Sequence, residues 1–537
     1  MSLSTPQRLT VTVSALSPYG EGIAVAEGKE IYLPQTMIGE VLEVEVGEPF
    51  TPNSKRCPGK VLRFIKADPQ HVLPEHYECA FYGRCGGCQL QHVSYEQQLV
   101  VKQQAIISAL HEVEQQVGPE CKLQGAIDDL VTCTSRPCRF KSLRYFGTDV
   151  QGALTLGFYA GRSHEVVPVD SCPLEPERFG VLSQSLLKLC QDLHLAAYQE
   201  PASPPVARKG KSKGKKQESP AASAATAAQA ATDSEATCLA QTMSQPHPQL
   251  RALLWREGDD GAILGCLVLT QQPEDRIEQA LRDWAQTHHV QSMVLSVNNS
   301  SGNALHMTVS KSLVGAEGIT KTLLGQKFQV QAPTFLQVNY EVCERLYQAA
   351  IAHCVQQEQK LETAQRTGAG AVTAADGAVA SADGMVSGLA LDLYCGVGTM
   401  TLGLAPHFTQ VWGVEVVSPS IAAAQANAVA NGLSNTHFVV ADVATELPRL
   451  LTQLKHEALP LKAIIADPSR AGLGAAVKAL ATVKGPCQLS LVFCALTALK
   501  RDLPPLLQAG WQLNKVQGFD MFPHSQHVET LVCLSKN

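Results

Sequence analysis

Apolar and polar positions alternate in short runs along the first 66 residues. The runs are LTVTVSAL, IAVAEG, EIYLPQT, EVLEVEVGE and KVLRFIK, and turn sequences such as SPYGEG separate them. A period of two is typical of a half-buried strand, and Gly, Pro and Asn at close spacing end each strand early. The pattern predicts a small closed β-barrel of about five strands in a first domain, 1–68.

The C-terminal region has a different pattern, in which apolar strands alternate with helical segments. Five apolar runs end in a polar residue or a glycine loop: LALDLY, VWGVE, THFVVAD, KAIIAD and SLVFC. Strands that alternate with helices form a mainly parallel sheet, and such sheets bind ligands at the carboxyl ends of their strands. The pattern predicts an α/β domain over 331–537, with a central α+β domain over 69–330.

Two stretches have compositions that bury too little apolar surface to order themselves. The first, about 200–247, runs from the basic PPVARKGKSKGKK into PAASAATAAQAAT, and the second, about 357–388, is rich in Ala, Gly and Thr. We interpret them as insertions in the central and C-terminal domains. The basic block Arg208–Lys216 is either a solvated loop or a contact for RNA.

Charge and hydropathy narrow the class of protein. The chain has 43 Lys and Arg against 49 Asp and Glu, a net charge of −6, so a nucleic-acid partner requires a local patch of positive charge. No apolar run approaches the roughly 20 residues of a membrane span, and the N-terminal residues lack the pattern of a signal peptide. We expect a cytoplasmic protein with no membrane partner.

The 17 cysteines indicate metal binding or packing, because disulfides are rare in a reducing compartment. Cys79, Cys85 and Cys88 lie on a Gly-rich loop, with five and two residues between them. The candidates for a fourth ligand are Cys172, which a proline follows, and as substitutes Cys57 and Cys138. Four thiolates suit a [4Fe-4S] cluster or zinc, and three close cysteines with one remote favour the cluster.

The first strand of the C-terminal pattern ends in the glycine loop YCGVGT. Gly396 and Gly398 let backbone amides approach a ligand. Glu415, nineteen positions after Gly396, suits two ribose hydroxyls, and Asp442 suits an adenine amino group. The third glycine of a pyrophosphate-binding loop is absent, and Asp392 suits a cationic methionine group. S-adenosylmethionine is therefore the favoured cofactor, with NAD as the alternative.

Candidate catalytic groups end the later strands. Cys494 follows a strand beside this pocket, the position expected of a nucleophile, and a buried core thiol is the alternative interpretation. Asp467, with Arg470 shortly after it, ends the preceding strand. His527 and Glu529 come just before the last strand, so we expect them at the same edge of the sheet.

The order of several motifs resembles that of RNA (uracil-5)-methyltransferases, particularly the branch that acts on 23S ribosomal RNA. The motifs are SPYGEGIA, the four cysteines, FLQVN, DLYCGVGT, DPSRAGL, a strand-end cysteine before TALKRDL, and FPHSQHVE. The resemblance covers nearly the whole chain apart from the two insertions. It implies a class I, Rossmann-like S-adenosylmethionine methyltransferase domain, an N-terminal TRAM domain, a [4Fe-4S] cluster and 23S ribosomal RNA as substrate.

The resemblance also implies roles for single residues. Cys494 would add to carbon 6 of uracil, and Glu529 would remove the proton from carbon 5. The residues that would line the cofactor and uracil pocket are Gln337, Tyr394, Thr399, Glu415, Asp442 and Asp467. The cluster ligands would be Cys79, Cys85, Cys88 and Cys172. The cluster would have a structural or RNA-positioning role, in a monomer without an obligate protein partner.

Several positions depart from the family pattern, among them Phe493 where the family has Ser, Tyr394 where it commonly has Phe, and Thr399 where it often has Asn. Ala495 and Leu496 follow the nucleophile where the family has Asn-Pro, and Ser469 replaces the second proline of Asp-Pro-Pro-Arg. These departures leave open the alternative that the chain is a noncatalytic RNA-binding protein whose methyltransferase site has decayed. A tRNA (uracil-5)-methyltransferase with the same mechanism is the other alternative. A radical S-adenosylmethionine enzyme does not fit the cysteine spacing.

Overall fold

The first five strands close into a barrel in the order β1-β2-β3-β5-β4. The computed structural model describes residues 7–537 except 18–19, 50–53, 73, 119–122, 201–247, 303–304, 306, 369–384 and 455–458. The barrel strands are β1 (Gln7–Leu16), β2 (Gly22–Ala26), β3 (Lys29–Leu33), β4 (Val41–Val46) and β5 (Arg56–Lys66). Alternate apolar residues point inward, as the fully buried Leu33 and Val44 show. The predicted five-stranded barrel is confirmed.

A seven-stranded sheet follows, in the order β13-β12-β11-β10-β7-β8-β9. The strands are β7 (Lys141–Thr148), β8 (Leu154–Tyr159), β9 (Val166–Pro168), β10 (Leu250–Glu257), β11 (Ile263–Leu269), β12 (Ser292–Val297) and β13 (Val309–Val314). Helices α2 (Glu177–Asp192) and α3 (Asp275–Thr287) bury apolar residues such as Phe179 and Leu281 against it, in one cluster with Trp255. A hairpin of β14 (Gly318–Leu323) and β15 (Gln326–Gln331) leads into the C-terminal region.

The C-terminal sheet has eight strands in the order β18-β17-β16-β19-β20-β22-β21-β6. They are β6 (Ile127–Val131), β16 (Val386–Leu393), β17 (Phe408–Glu415), β18 (Thr436–Val440), β19 (Leu461–Ala466), β20 (Cys487–Phe493), β21 (Gln512–Phe519) and β22 (Glu529–Lys536). The five strands from β18 to β20 are parallel, and β22 is antiparallel to both of its neighbours. The parallel strands and the helices between them confirm the predicted Rossmann-like α/β fold.

Helices cover the C-terminal sheet and connect its parallel strands. They are α4 (Tyr340–Gly368), α5 (Thr399–Leu404), α6 (Ser418–Ala430), α7 (Val443–Gln453), α8 (Ala476–Ala481) and α9 (Leu496–Gln508). Short 3₁₀ turns occur at Pro74–His76, Gln124–Ala126 and Asp259–Gly261. No helix in the described part of the chain is long and apolar enough to cross a bilayer.

Residues well before the C-terminal region complete this sheet. Helix α1 (Tyr95–Val117) buries Ile106 and Leu110 in the same apolar cluster as Leu503 of α9. Strand β6 pairs in parallel with the edge strand β21. The sheet therefore includes residues that the sequence places in the central domain, because α1 and β6 find their apolar partners there.

The two predicted insertions fall largely outside the described residues. The first coincides with 201–247, which the structure does not describe. For the second, α4 continues to Gly368 and β16 begins at Val386, so both ends of the predicted stretch 357–388 lie in regular structure. The residues between them, 369–384, are not described.

Candidate active site

The carboxyl ends of the parallel strands bring the predicted polar residues to one edge of the sheet. Glu415 is the last residue of β17, Asp467 directly follows β19 and Cys494 directly follows β20. Glu529 is the first residue of β22, whose antiparallel course returns it to this edge, and the pair Phe493 and Thr530 lies beside it. The topology thus explains why residues far apart in sequence meet.

The glycine loop after β16 forms one half of the site. Tyr394, Gly396 and Gly398 all have positive φ, at 64°, 54° and 83°. A Cβ added to Gly396 would meet nothing within 4 Å, so open space lies beside its backbone. Thr399 is buried and begins α5 directly after the loop. The turn leaves open space beside the loop, but the amides of Gly396 and Gly398 already donate within the protein, to Glu415 and to the Cys395 carbonyl.

Two carboxylates at the ends of β17 and β18 already accept hydrogen bonds from backbone amides. Glu415 accepts from the amide of Gly396 through Oε2 at 3.3 Å and from that of Val417 through Oε1 at 2.9 Å. Asp442 caps α7 by accepting from the Thr445 amide at 3.0 Å. The same hydrogen bonds fix both side chains at the rim.

Asp392 lies beneath this loop and is fully buried. The Thr401 hydroxyl donates to its Oδ2 at 2.6 Å, and Oδ1 has no hydrogen-bond partner in the described chain. Burial is the main cause that raises the pKa of Asp392 to about 7, and the carboxylates of Asp467 and Glu415 add to it. Strands β16 and β19 are paired, with Leu393 opposite Ala466, so the glycine loop and Asp467 adjoin.

Cys494 and Glu529 form the other half of the site. Burial, then the charges of Glu529 and Asp467, raises the pKa of the Cys494 thiol to about 11, while the positive charge of Arg470 opposes the rise. Burial and Asp467 likewise raise the pKa of Glu529 to about 8. Glu529 is buried, and its Oε2 has no hydrogen-bond partner among the described residues. A buried carboxyl that stays partly protonated near neutral pH suits proton transfer.

Asp467 is anchored by two polar side chains from the segment before β16. The Tyr347 hydroxyl donates to Oδ2 of Asp467 at 2.9 Å, and Gln337 also hydrogen-bonds this carboxyl. Burial raises the pKa of Asp467 to about 6, and these two hydrogen bonds limit the rise. Asp467 follows β19, which pairs with β16 through Ala466 and Leu393, so it lies between the glycine loop and Cys494.

The sequence alone assigns no function to two residues that lie near Asp467 and Cys494. Tyr347 is a buried hydroxyl on the apolar face of α4, and Arg470 is an exposed cation three residues after Asp467. A tyrosine four positions after Cys343, on a face that is otherwise apolar, is the signal that sequence reasoning could have used.

The four predicted cluster ligands line one cavity of about 290 Å³. Burial raises the pKa of Cys85, and it raises the pKa of Cys88 and of Cys172 to about 12, while Arg139 opposes all three shifts. Arg139 and Lys141 also line the cavity, and burial lowers the pKa of Lys141 to about 7, so Arg139 is the stronger positive charge beside the thiols. No three His, Cys, Asp or Glu side chains in the described ranges are arranged to hold a metal ion.

The two substitute ligands lie elsewhere. Cys57 is buried in the barrel core, and Cys138 hydrogen-bonds Cys133 instead of lining this cavity. Among the three candidates for a fourth ligand, only Cys172 lines the cavity together with Cys79, Cys85 and Cys88. The four thiols thus come from two segments of the chain and share one cavity.

Comparisons with known proteins agree with this geometry. Residues 378–537 match the family model described as tRNA (Uracil-5-)-methyltransferase. The chain is 28% identical over 536 residues to an uncharacterized RNA methyltransferase of Halalkalibacterium halodurans, covering 98% of this chain and 96% of that one. It is also 28% identical over 530 residues to one of Staphylococcus aureus, with 97% and 96% covered. The chain is an S-adenosylmethionine-dependent RNA methyltransferase, and its C-terminal residues are similar to the uracil-5 family.

The fold of this methyltransferase is also found in a solved structure. The Pyrococcus abyssi tRNA (uracil-54, C5)-methyltransferase, solved with S-adenosyl-L-homocysteine, superposes with a TM-score of 0.62 at 18% identity. The match covers 98% of this chain and 100% of that one. The family match at 378–537 contains Cys494, Glu529 and the glycine loop, whereas Gln337 and the cysteine loop precede it.

Proposed function

We propose that this enzyme transfers a methyl group from S-adenosylmethionine to carbon 5 of a uridine in 23S ribosomal RNA, through a covalent bond between Cys494 and the uracil. The observation that carries the proposal is the meeting of one thiol and one buried carboxyl beside the glycine loop. The ribosomal substrate rests on the resemblance of the cysteine loop and the barrel to that branch.

The thiol explains how an unreactive carbon is methylated. Carbon 5 of uracil is a poor nucleophile, so the Cys494 thiolate first adds to carbon 6, and the resulting enolate carries electron density to carbon 5. S-adenosylmethionine, when bound, supplies the methyl group from its sulfonium. Burial raises the pKa of the Cys494 thiol and so disfavours the thiolate that this step needs. The positive charge of Arg470 acts in the opposite direction and favours the thiolate.

The carboxyl completes the reaction. Glu529 takes the proton from carbon 5, the bond between carbon 6 and the Cys494 sulfur breaks, and the free thiolate returns. Asp467, held by Tyr347 and Gln337, would hold the polar edge of the uracil. The uridine must leave its stack to reach these groups, which costs a few kcal/mol unless the RNA already exposes it.

The glycine-loop half of the site would bind S-adenosylmethionine with residues that the structure already orders. Glu415 would accept the ribose hydroxyls, Asp442 the adenine amino group, and Tyr394 and Thr399 would contact the cofactor beside the glycine loop. Asp392 would face the cationic methionine group, whose charge would favour the ionised form of this carboxyl.

We further propose that Cys79, Cys85, Cys88 and Cys172 hold a [4Fe-4S] cluster. Their common cavity and the bordering Arg139 support this assignment, since cations favour the thiolate form of the ligands. The cluster would contribute no step to the methyl transfer and would stabilise the loop that carries three of its ligands. The barrel would serve as a TRAM domain that binds RNA.

The experiment that tests this function is the mapping of 5-methyluridine in total RNA from cells with and without the protein. Loss of the base at a 23S position supports the proposal. Loss in tRNA alone supports the second candidate, a tRNA (uracil-5)-methyltransferase, which the description of the matching family model favours. Identical maps from both strains, with cofactor binding retained in vitro, would indicate the decayed alternative that Ala495 and Leu496 leave open.

A further inference from the structure

His524 is a buried histidine that no step of the proposed reaction uses. Its φ is 62°, a left-handed conformation that non-glycine residues adopt at a cost of about 1 kcal/mol or more, unless their surroundings hold them there. It lies on the nine-residue loop 520–528 that joins β21 to β22, and Glu529 is the first residue after this loop. A strained residue at this point requires strong local contacts.

Those contacts come from the cysteine loop. The backbone amides of Gln89 and Leu90, directly after Cys88, both donate to the His524 carbonyl at 2.8 Å. On the imidazole, Nε2 lies 3.0 Å from Oε2 of Glu78, the residue before Cys79. The two ends of the cysteine loop therefore hold the same histidine, one through its backbone and the other through its ring.

The first turns of α1 hold the other side of the loop. The side chain of Gln98 accepts from the His524 amide at 3.0 Å and lies 3.2 Å from its ring Nδ1. The buried Lys102 donates to the carboxylate of Asp520, with which it forms an ion pair, and to the Phe522 carbonyl at 3.0 Å. The loop is thus fixed at its start and its centre before the chain reaches Glu529.

We propose that His524 is a positioning residue that transmits the conformation of the cysteine loop to the Glu529 carboxyl. The inference rests on the proposed function, since it assigns Glu529 to proton removal after adduct formation. The pairing of Glu529 with Phe519 fixes its backbone in the sheet, whereas Oε2 of its side chain has no hydrogen-bond partner among the described residues. The orientation of the carboxyl then depends on the loop that precedes it.

The consequence is specific to one step. Cys494 directly follows β20, and the glycine loop follows β16, so neither belongs to the loop 520–528. A change at His524 leaves cofactor binding and addition of the thiolate intact and slows proton removal. Disturbance of the cysteine loop, for example by Cys85→Ser, has the same effect, because the loop holds His524 from both ends.

The test uses substitutions that the backbone tolerates. Asn adopts the left-handed region readily, so His524→Asn keeps the turn but does not reach Glu78. Glu78 is about half exposed, so Glu78→Ala removes the ring contact without a change in the core, and Glu78→Gln retains a hydrogen-bonding group. The matched control is His194→Asn, at an exposed histidine of φ 56° far from the site in sequence.

We expect His524→Asn to lower kcat at least tenfold with an unchanged KM for S-adenosylmethionine, and to accumulate a protein–RNA adduct on denaturing gels. Glu78→Ala shifts both readouts in the same direction, and Glu78→Gln and His194→Asn behave like wild type. The inference is overturned if Glu78→Ala and His524→Asn release product at the wild-type rate. It is also overturned if adduct and product fall together. Absence of adduct and of 5-methyluridine with the wild-type protein instead overturns the proposed function itself.

Discussion

Replacement of Glu529 by Gln should stabilise the protein while it blocks turnover. Burial raises the pKa of this carboxyl from 4.5 to about 8. Between these two values the folded protein keeps the proton that the unfolded chain loses, so the stability of the wild type falls as pH rises. A pH of 7 lies about 2.5 units above the ordinary pKa of 4.5. At about 1.4 kcal/mol per unit, the buried carboxyl therefore lowers the unfolding free energy by about 3 kcal/mol at this pH. The amide side chain in Glu529→Gln does not titrate, so this variant does not lose that unfolding free energy.

The assay is urea unfolding of wild type and Glu529→Gln at pH 4, 5.5, 7 and 8. The difference in unfolding free energy should be smallest at pH 4 and grow to a few kcal/mol at pH 7. The exposed Glu165 provides the control, because Glu165→Gln removes a carboxyl that is not buried. A difference for Glu529→Gln that is the same at pH 4 and pH 7 would refute the reasoning, since it would show that the carboxyl does not titrate differently in the folded state.

The same variant has a catalytic consequence. Only ionised Glu529 accepts a proton, so the rate of product release in the wild type should rise with pH through about 8. Glu529→Gln should still add Cys494 to the uracil and transfer the methyl group, but it should retain the RNA in a covalent complex. A variant that releases 5-methyluridine at the wild-type rate would show that another group removes the proton.

Two further predictions concern the cysteine loop and the helix after the nucleophile. Protein purified without oxygen should contain about four iron per chain, and Cys85→Ser should lose it; stoichiometric zinc without iron or acid-labile sulfide would contradict this. Ala495 is the N-cap of α9 and makes no side-chain hydrogen bond there, so Ala495→Asn should stabilise the protein by about 1 kcal/mol in urea unfolding. An unchanged or lower unfolding free energy would show that the cap is satisfied in another way.

The strand pattern was sufficient to predict the barrel and the edge of the sheet where the site lies. An alternation of period two fixes which residues face a barrel core, and strands that alternate with helices place Glu415, Asp467 and Cys494 at carboxyl ends. These inferences depend on local periodicity, which a single sequence contains.

Contacts between distant segments could not be predicted in this way. Three such contacts join residues far apart in the chain. They are the pairing of β6 with β21, the hydrogen bond from Tyr347 to Asp467, and the hydrogen bonds from the cysteine loop to His524. Nothing in the local sequence of His524 indicates a left-handed backbone, since glycine is the usual residue there. This environment forms only when α1 and the cysteine loop pack against the loop 520–528.

The most direct test of the central claim is a reaction of the wild-type protein with S-adenosylmethionine and RNA that carries 5-fluorouridine at the target. Fluorine does not leave as a cation, so Glu529 has no proton to remove and the Cys494 adduct persists. Mass spectrometry of the digested complex should find the methylated fluorouridine on the peptide that contains Cys494, and Cys494→Ala should bind S-adenosylmethionine without forming the complex. A folded, cofactor-binding wild type that forms no adduct with fluorinated ribosomal or transfer RNA, or an adduct on another residue, would contradict the account.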